Sequence, residues 1–146
     1  MTLNPGTRLG PYEIQAAIGA GGMGEVYRAR DTRLDRTVAL KIIRASELPG
    51  RDRVERFKRE ARAISRVNHP NICALYDIGE DRDEMFLVME YVGGETLASR
   101  LERGALRIEE TLRYGVQMAD ALDTAHRTGV IHCDLKPSNI MLTRGG

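Results

Sequence analysis

Ile131-His132-Cys133-Asp134-Leu135-Lys136-Pro137-Ser138-Asn139 follows a long helical pattern and reads as a loop. It sets an acid, a cation and an amide at fixed offsets. Moving a phosphoryl group onto a hydroxyl asks for such a set. A carboxylate accepts the hydroxyl proton, a cation stands beside the moving phosphate, and an oxygen ligand holds magnesium. Asp134, Lys136 and Asn139 supply these in that order. Taken singly, Asp134 and Asn139 are also ordinary turn residues. The stretch gains its force from what lies upstream.

Residues 12–18 read as a strand, closed by Gly19-Ala20-Gly21-Gly22-Met23-Gly24, and residues 25–30 read as a second strand. Glycines let a backbone approach a phosphate closely and aim amide groups at it. In dinucleotide folds a helix follows such a run. Here Glu25-Val26-Tyr27-Arg28-Ala29-Arg30 follows, with no capping box, which favours a hairpin over phosphates. A flexible turn with no ligand is the plain alternative.

Thr37-Val38-Ala39-Leu40-Lys41-Ile42-Ile43 is a third strand, rich in β-branched residues. Residues 72–78 and 85–90 read as two more, joined by a charged turn. The first three strands make an antiparallel meander, and one helix precedes the last two. That helix spans residues 49–67, where Val54, Phe57, Ala61, Ile64 and Val67 recur at three- and four-residue steps.

In the third strand Lys41 shares a side with Ala39 and Ile43, opposite Val38, Leu40 and Ile42. A lysine among apolar strand residues needs an anionic partner or snorkels at a sheet edge. Glu60, at the boundary of the helix's apolar stripe, is the best helix partner, and Glu55 is the runner-up. A surface pairing of Glu60 with Arg56 or Arg59 is the plain alternative.

Gly93-Gly94 then breaks the pattern, a short helix follows at residues 96–102, and a longer one spans residues 109–127. Leu112, Val116, Ala119 and Leu122 line one of its faces; Tyr114, Met118, Ala121 and Ala125 line another. A helix apolar on two faces wants neighbours on both. Two regions emerge, residues 1–92 rich in strands and residues 93–146 helical, with residues 1–11 read as turns.

The chain has 146 residues and a net charge of +1, from 22 basic and 21 acidic side chains. Such a balance gives no reason to expect nucleic acid or an anionic membrane as partner. No apolar run reaches the roughly 20 residues that cross a bilayer. The two cysteines, Cys73 and Cys133, have no partners at metal spacing. With no signal peptide at its start, the chain reads as a reduced, cytoplasmic protein.

Together these segments resemble the protein kinase family, in particular bacterial serine/threonine kinases of the eukaryotic-like type. The likeness runs from about Tyr12 to the end. It rests on Ile18 through Val26, Val38-Ala39-Leu40-Lys41, Phe57-Lys58-Arg59-Glu60-Ala61, His69-Pro70-Asn71-Ile72, and His132 through Asn139. It implies an α+β, kinase-like fold: a five-stranded antiparallel sheet with one helix, then the first helices and catalytic loop of a second lobe.

The resemblance also implies roles. Ile18, Gly19, Ala20, Gly21, Gly22, Met23, Gly24 and Val26 would cover ATP. Lys41 would hold its phosphates and pair with Glu60. Ala39, Leu97 and Met141 would enclose the adenine, with Met89 at the back of the pocket. The backbone of Glu90 and Val92 would bond the adenine edge. Asp134 would be the catalytic base, Lys136 the γ-phosphate cation and Asn139 a magnesium ligand, so ATP and Mg²⁺ are the implied cofactors. Lys136, two places after Asp134, points to serine or threonine acceptors in a protein substrate.

Two departures stand out. Cys133 occupies the position where most relatives carry arginine, which argues against control by activation-loop phosphorylation. The chain ends at Gly146, before any Asp-Phe-Gly. The resemblance therefore implies a partial kinase domain, with an inactive ATP- or partner-binding fragment as the alternative.

Overall fold

A computed structural model of the chain describes residues 3–21, 24–44, 52–81, 84–130 and 135–144. The chain divides into two compact units. One comprises Met1–Arg66 and Cys73–Tyr91; the other comprises Val67–Ile72 and Val92–Gly146.

The first unit is an antiparallel sheet with one helix. Its strands are β1 (Arg8–Leu9), β2 (Tyr12–Gly21), β3 (Gly24–Asp31), β4 (Arg36–Arg44), β5 (Leu75–Asp81) and β6 (Glu84–Glu90), in the order β1-β2-β3-β4-β6-β5. The sheet thus has six strands rather than the five read from sequence. The extra one, β1, is two residues long and pairs Arg8 with Glu13 and Leu9 with Tyr12. Two residues carry no visible alternation, so composition alone reads them as turn.

Period-two alternation decides what each face of the sheet does. Val38, Leu40 and Ile42 of β4 turn to one side, where they join Tyr12, Ile14, Tyr27, Ala29, Phe86 and Val88 in a buried cluster. The segment before β2 covers this cluster. Leu9 is part of it, Leu3 packs against it, and the Leu3 amide donates to the Tyr27 hydroxyl at 2.8 Å. The Tyr27 hydroxyl in turn donates to Glu25. Truncating fully buried Leu40 to alanine is expected to cost about 2–5 kcal/mol, from lost transfer energy and the cavity left behind. A shift in the denaturant midpoint at constant m value measures it.

The opposite face carries α1 (Arg53–Ser65). Val54 and Phe57 pack against Ile43, Met85 and Leu87, and Ala61 is buried. Burial on one stripe holds this helix, because its N-terminal Asp52 makes no side-chain cap. Between β3 and β4, buried Asp31 accepts the Arg33 amide at 2.9 Å and the Leu34 amide at 3.3 Å, closing the turn.

The second unit holds β7 (Glu95–Thr96), α2 (Leu97–Leu101), α3 (Ile108–Arg127), a 3-10 turn over Pro137–Asn139 and β8 (Met141–Leu142). The Thr96 hydroxyl accepts the Ser99 amide at 3.0 Å and caps α2. On α3, Tyr114, Ala121 and Ala125 are buried, while Ile108, Leu112 and Val116 are 63–70% exposed. Of the two apolar faces expected for this helix, the chain covers the one bearing Tyr114.

His69 marks how the short Val67–Ile72 segment joins this unit. Its Nδ1 accepts the Asn71 amide at 3.0 Å, which leaves the proton on Nε2 to be donated to Asp120 Oδ2 of α3 at 2.8 Å. Among the described residues no helix is long and apolar enough to cross a membrane.

Candidate active site

In the first unit the sheet register groups several of the candidate residues on one face. Val26 pairs with Lys41, Lys41 with Leu87, and Ala39 with Met89. Opposed residues share a face of a pleated sheet, so Val26, Ala39, Lys41 and Met89 lie together on one face. This is the face on which α1 packs through Ile43 and Met85. Lys41 is half-buried among apolar neighbours.

Among the described residues no ion pair joins Lys41 to Glu60, and Glu60 is exposed on α1. Lys58 of the same helix instead pairs with Glu80 of β5 at 2.8 Å. Glu55, the alternative helix partner, is exposed as well.

The glycine run is built differently from its sequence reading. β2 continues through Gly19 and Ala20 to Gly21, β3 begins at Gly24, and Gly21 pairs with Gly24. Antiparallel pairing carries on to the tip because nothing in Gly19-Ala20-Gly21 obstructs the ladder. The register shifts twice on the way, between Ile14 and Ala16 and between Ala17 and Gly19. The second shift leaves Ile18 nearly half exposed. Gly22 and Met23 lie outside the described residues. A Cβ built on Gly19, opposite Val26, would meet nothing within 4 Å. No contact among the described residues therefore calls for glycine there, and the backbone is open to close approach.

At the end of β6, Glu90 is tied on three sides to residues 73–74. Its amide donates to the Ala74 carbonyl at 2.8 Å, its Oε1 accepts the Ala74 amide at 3.2 Å, and its carbonyl accepts the Cys73 thiol at 3.2 Å. Sequence reading missed this arrangement, since no spacing rule links Cys73 to Glu90. Cys73 as a residue is exposed, but partial desolvation of its sulfur pushes the thiol up to about 11, with the nearby Glu90 carboxylate adding to the rise and the hydrogen bond to its carbonyl opposing it.

A raised thiol stays neutral in the folded chain while the unfolded chain ionises. Stability from this group is therefore intact below the ordinary thiol range and falls as pH climbs toward 11. At pH 8, alkylation of Cys73 is expected to be about a hundredfold slower in the folded chain than in urea, because only the thiolate reacts. Peptide mass mapping reads this out site by site, and equal rates would refute it.

The second unit carries a separate group of the candidate residues. Thr96 pairs with Met141 and Glu95 with Leu142, and the Leu97 amide donates to the Ile140 carbonyl at 2.8 Å. This ladder places buried Leu97 and part-exposed Met141 on adjoining strand ends. The Asn139 amide donates to the Lys136 carbonyl at 2.9 Å, which closes the turn bearing Lys136 and Asn139. Asp134, His132 and Cys133 lie outside the described residues.

Beside the ladder is an open cleft of about 490 Å³ lined by Gly94, Glu95, Arg100, Arg103, Tyr114 and Arg144, among others. Arg103 donates to both Glu95 oxygens at 2.7 Å and holds that carboxyl below its usual range. Among the described residues no cluster of three or more His, Cys, Asp or Glu side chains could hold a metal.

Residues 12–146 match the protein kinase domain family. The chain belongs to that family. It is 47% identical over 133 residues to the serine/threonine-protein kinase pkn3 of Myxococcus xanthus, covering 90% of this chain and 24% of that protein. It is 42% identical over 138 residues to the serine/threonine-protein kinase PrkC of Bacillus subtilis, covering 94% and 21%. The crystal structure of the Mycobacterium tuberculosis PknI kinase domain superposes with a TM-score of 0.88 at 30% identity, covering 99% of this chain and 59% of that one. The fold is thus that of a protein kinase, and the chain spans about a fifth to a quarter of the curated relatives it matches.

Proposed function

We propose that the protein is an ATP-dependent protein serine/threonine kinase, to which this chain contributes the nucleotide-holding sheet and the phosphate-transfer turn. One observation carries the reading: the register that sets Val26, Ala39, Lys41 and Met89 on one sheet face. A half-buried ammonium there, with no ion pair among the described residues and open space at Gly19, fits a triphosphate. Bound ATP with magnesium supplies the γ-phosphoryl group and the divalent charge that neutralises it.

In this reading Lys41 holds the α- and β-phosphates and Glu60 steadies Lys41. Ile18, Gly19, Ala20, Gly21, Gly22, Met23 and Gly24 cover the phosphates. Val26 joins them in covering ATP; Ala39, Leu97 and Met141 enclose the adenine, with Met89 at the back of the pocket, and the adenine edge bonds the backbone of Glu90 and Val92. Asp134 accepts the proton of the serine or threonine hydroxyl. Lys136 balances charge on the moving phosphoryl group, and the side-chain oxygen of Asn139 is a magnesium ligand. The setting is cytoplasmic and the substrate a protein.

A second reading, nucleotide or partner binding without transfer, is favoured by exposed Glu60 standing unpaired with Lys41. Labelled phosphate transfer from ATP to a serine-containing protein separates the two. Transfer that falls by about 10²–10⁴ in Asp134→Asn, as expected for loss of a general base, supports the first. Thermal stabilisation by ATP with no transfer supports the second.

A further inference from the structure

We infer that the solvent face of α1 is a docking surface for an acidic protein segment. From Arg53 to Arg66 the sequence holds six basic residues and two acidic ones, while the whole chain is only +1. The positive charge is therefore concentrated on this helix, and the rest of the chain is slightly acidic. Val54, Phe57 and Ala61 turn inward to the sheet. Arg56, Arg59, Arg62 and Arg66 are all exposed, and among the described residues none of them forms an ion pair. Lys58 is the exception, held by Glu80.

The helix gains from Glu55 in its first turn and Arg62 in its last, but not from the spacing of its arginines. Like charges three and four residues apart repel. Arg56 lies in the first turn, where the positive end of the helix dipole disfavours a cation. An anion laid along the face relieves both costs. Electrostatic complementarity of this kind speeds encounter and selects partners.

The dimensions and chemistry choose the occupant. Arg56 to Arg66 spans roughly 15 Å at 1.5 Å per residue, the length of about five extended residues. The face carries no aromatic side chain on which bases could stack. Of its apolar stripe only Ile64 is exposed, at 40%, too little to make the broad apolar side that seats a helix in a membrane interface. A short run of aspartate and glutamate meets every condition.

The test titrates a fluorescein-labelled peptide of about ten residues, mostly Glu and Asp, with the full 146-residue chain, and follows anisotropy. Saturable binding is expected, weakening as salt rises from about 50 to about 200 mM. Amide shifts should concentrate in α1. Arg59→Glu/Arg62→Glu/Arg66→Glu should lose about tenfold or more in affinity, since three surface pairs are replaced by repulsions. The milder Arg59→Gln/Arg62→Gln/Arg66→Gln variant should fall between. Circular dichroism checks that both remain folded. Absence of binding, equal affinity in the variants, or tighter arginine-dependent binding of a single-stranded oligonucleotide or a phosphatidylglycerol vesicle would each overturn the inference.

Discussion

Replacing Lys41 with methionine is expected to abolish the rise in melting temperature that the proposed binding of ATP with magnesium predicts for the chain. Methionine keeps the length and apolar stem of lysine, so packing beside Val26 and Leu87 survives. Only the ammonium is lost. At a ligand concentration about a hundred times Kd, binding adds about 2.7 kcal/mol to stability. For a chain of this size that is roughly 5–10 °C. Without the cation, phosphate charge on this face has no counterpart from β4, and the shift should flatten. On the proposed kinase reading, phosphate transfer should drop by about 10²–10³, the usual consequence of removing one preorganised electrostatic contact. Scanning fluorimetry with and without nucleotide reads the first effect. An unchanged shift in Lys41→Met would remove this lysine from the phosphate site.

Gly94→Val should be the most damaging single change in the second unit, at about 3–5 kcal/mol. Two costs add. Gly94 has φ of 136°, a conformation side chains rarely adopt, and forcing one there costs about 1–3 kcal/mol. A Cβ would also stand 2.1 Å from the Leu142 carbonyl oxygen. That oxygen cannot withdraw freely, because Leu142 is paired with Glu95 in the β7–β8 ladder. Relief therefore means opening the ladder that sets Leu97 beside Met141. The change should accelerate hydrogen exchange of the Leu97 amide and lower the denaturant midpoint. A loss within about 0.5 kcal/mol would mean that the ladder can shift at no cost.

These two positions differ in how far sequence alone exposes them. Lys41 announces itself as a cation inside an apolar strand, and period-two alternation assigns its face correctly. Gly94 reads only as a break between regions. Its φ and the carbonyl above it come from a strand pairing nearly fifty residues away in the chain, which no local pattern encodes.

The same division holds across the fold. Helices α1 and α3 are legible because amphipathic periodicity is strong over three or more turns. The two-residue strands β1, β7 and β8 are not, since pairing defines them rather than any run of residue types. The extension of β2 and β3 through the glycines was likewise hidden, because glycine has low strand propensity and tertiary pairing overrode it.

What the amino-acid sequence determined by itself is the five longer strands and the two long helices, the side of β4 on which Lys41 stands, and the order of the chemical groups from the glycine run to Asn139. Those follow from spacing along the chain. Only the tertiary structure decided that Met89 lies opposite Ala39, that Cys73 and Ala74 hold Glu90, that among the described residues Glu60 and Lys41 form no ion pair, and that Arg56, Arg59 and Arg62 of α1 face solvent. Each of these depends on register or on which helix face is buried. Such choices are made by the summed packing of residues far apart in the chain, where no single stretch carries the information.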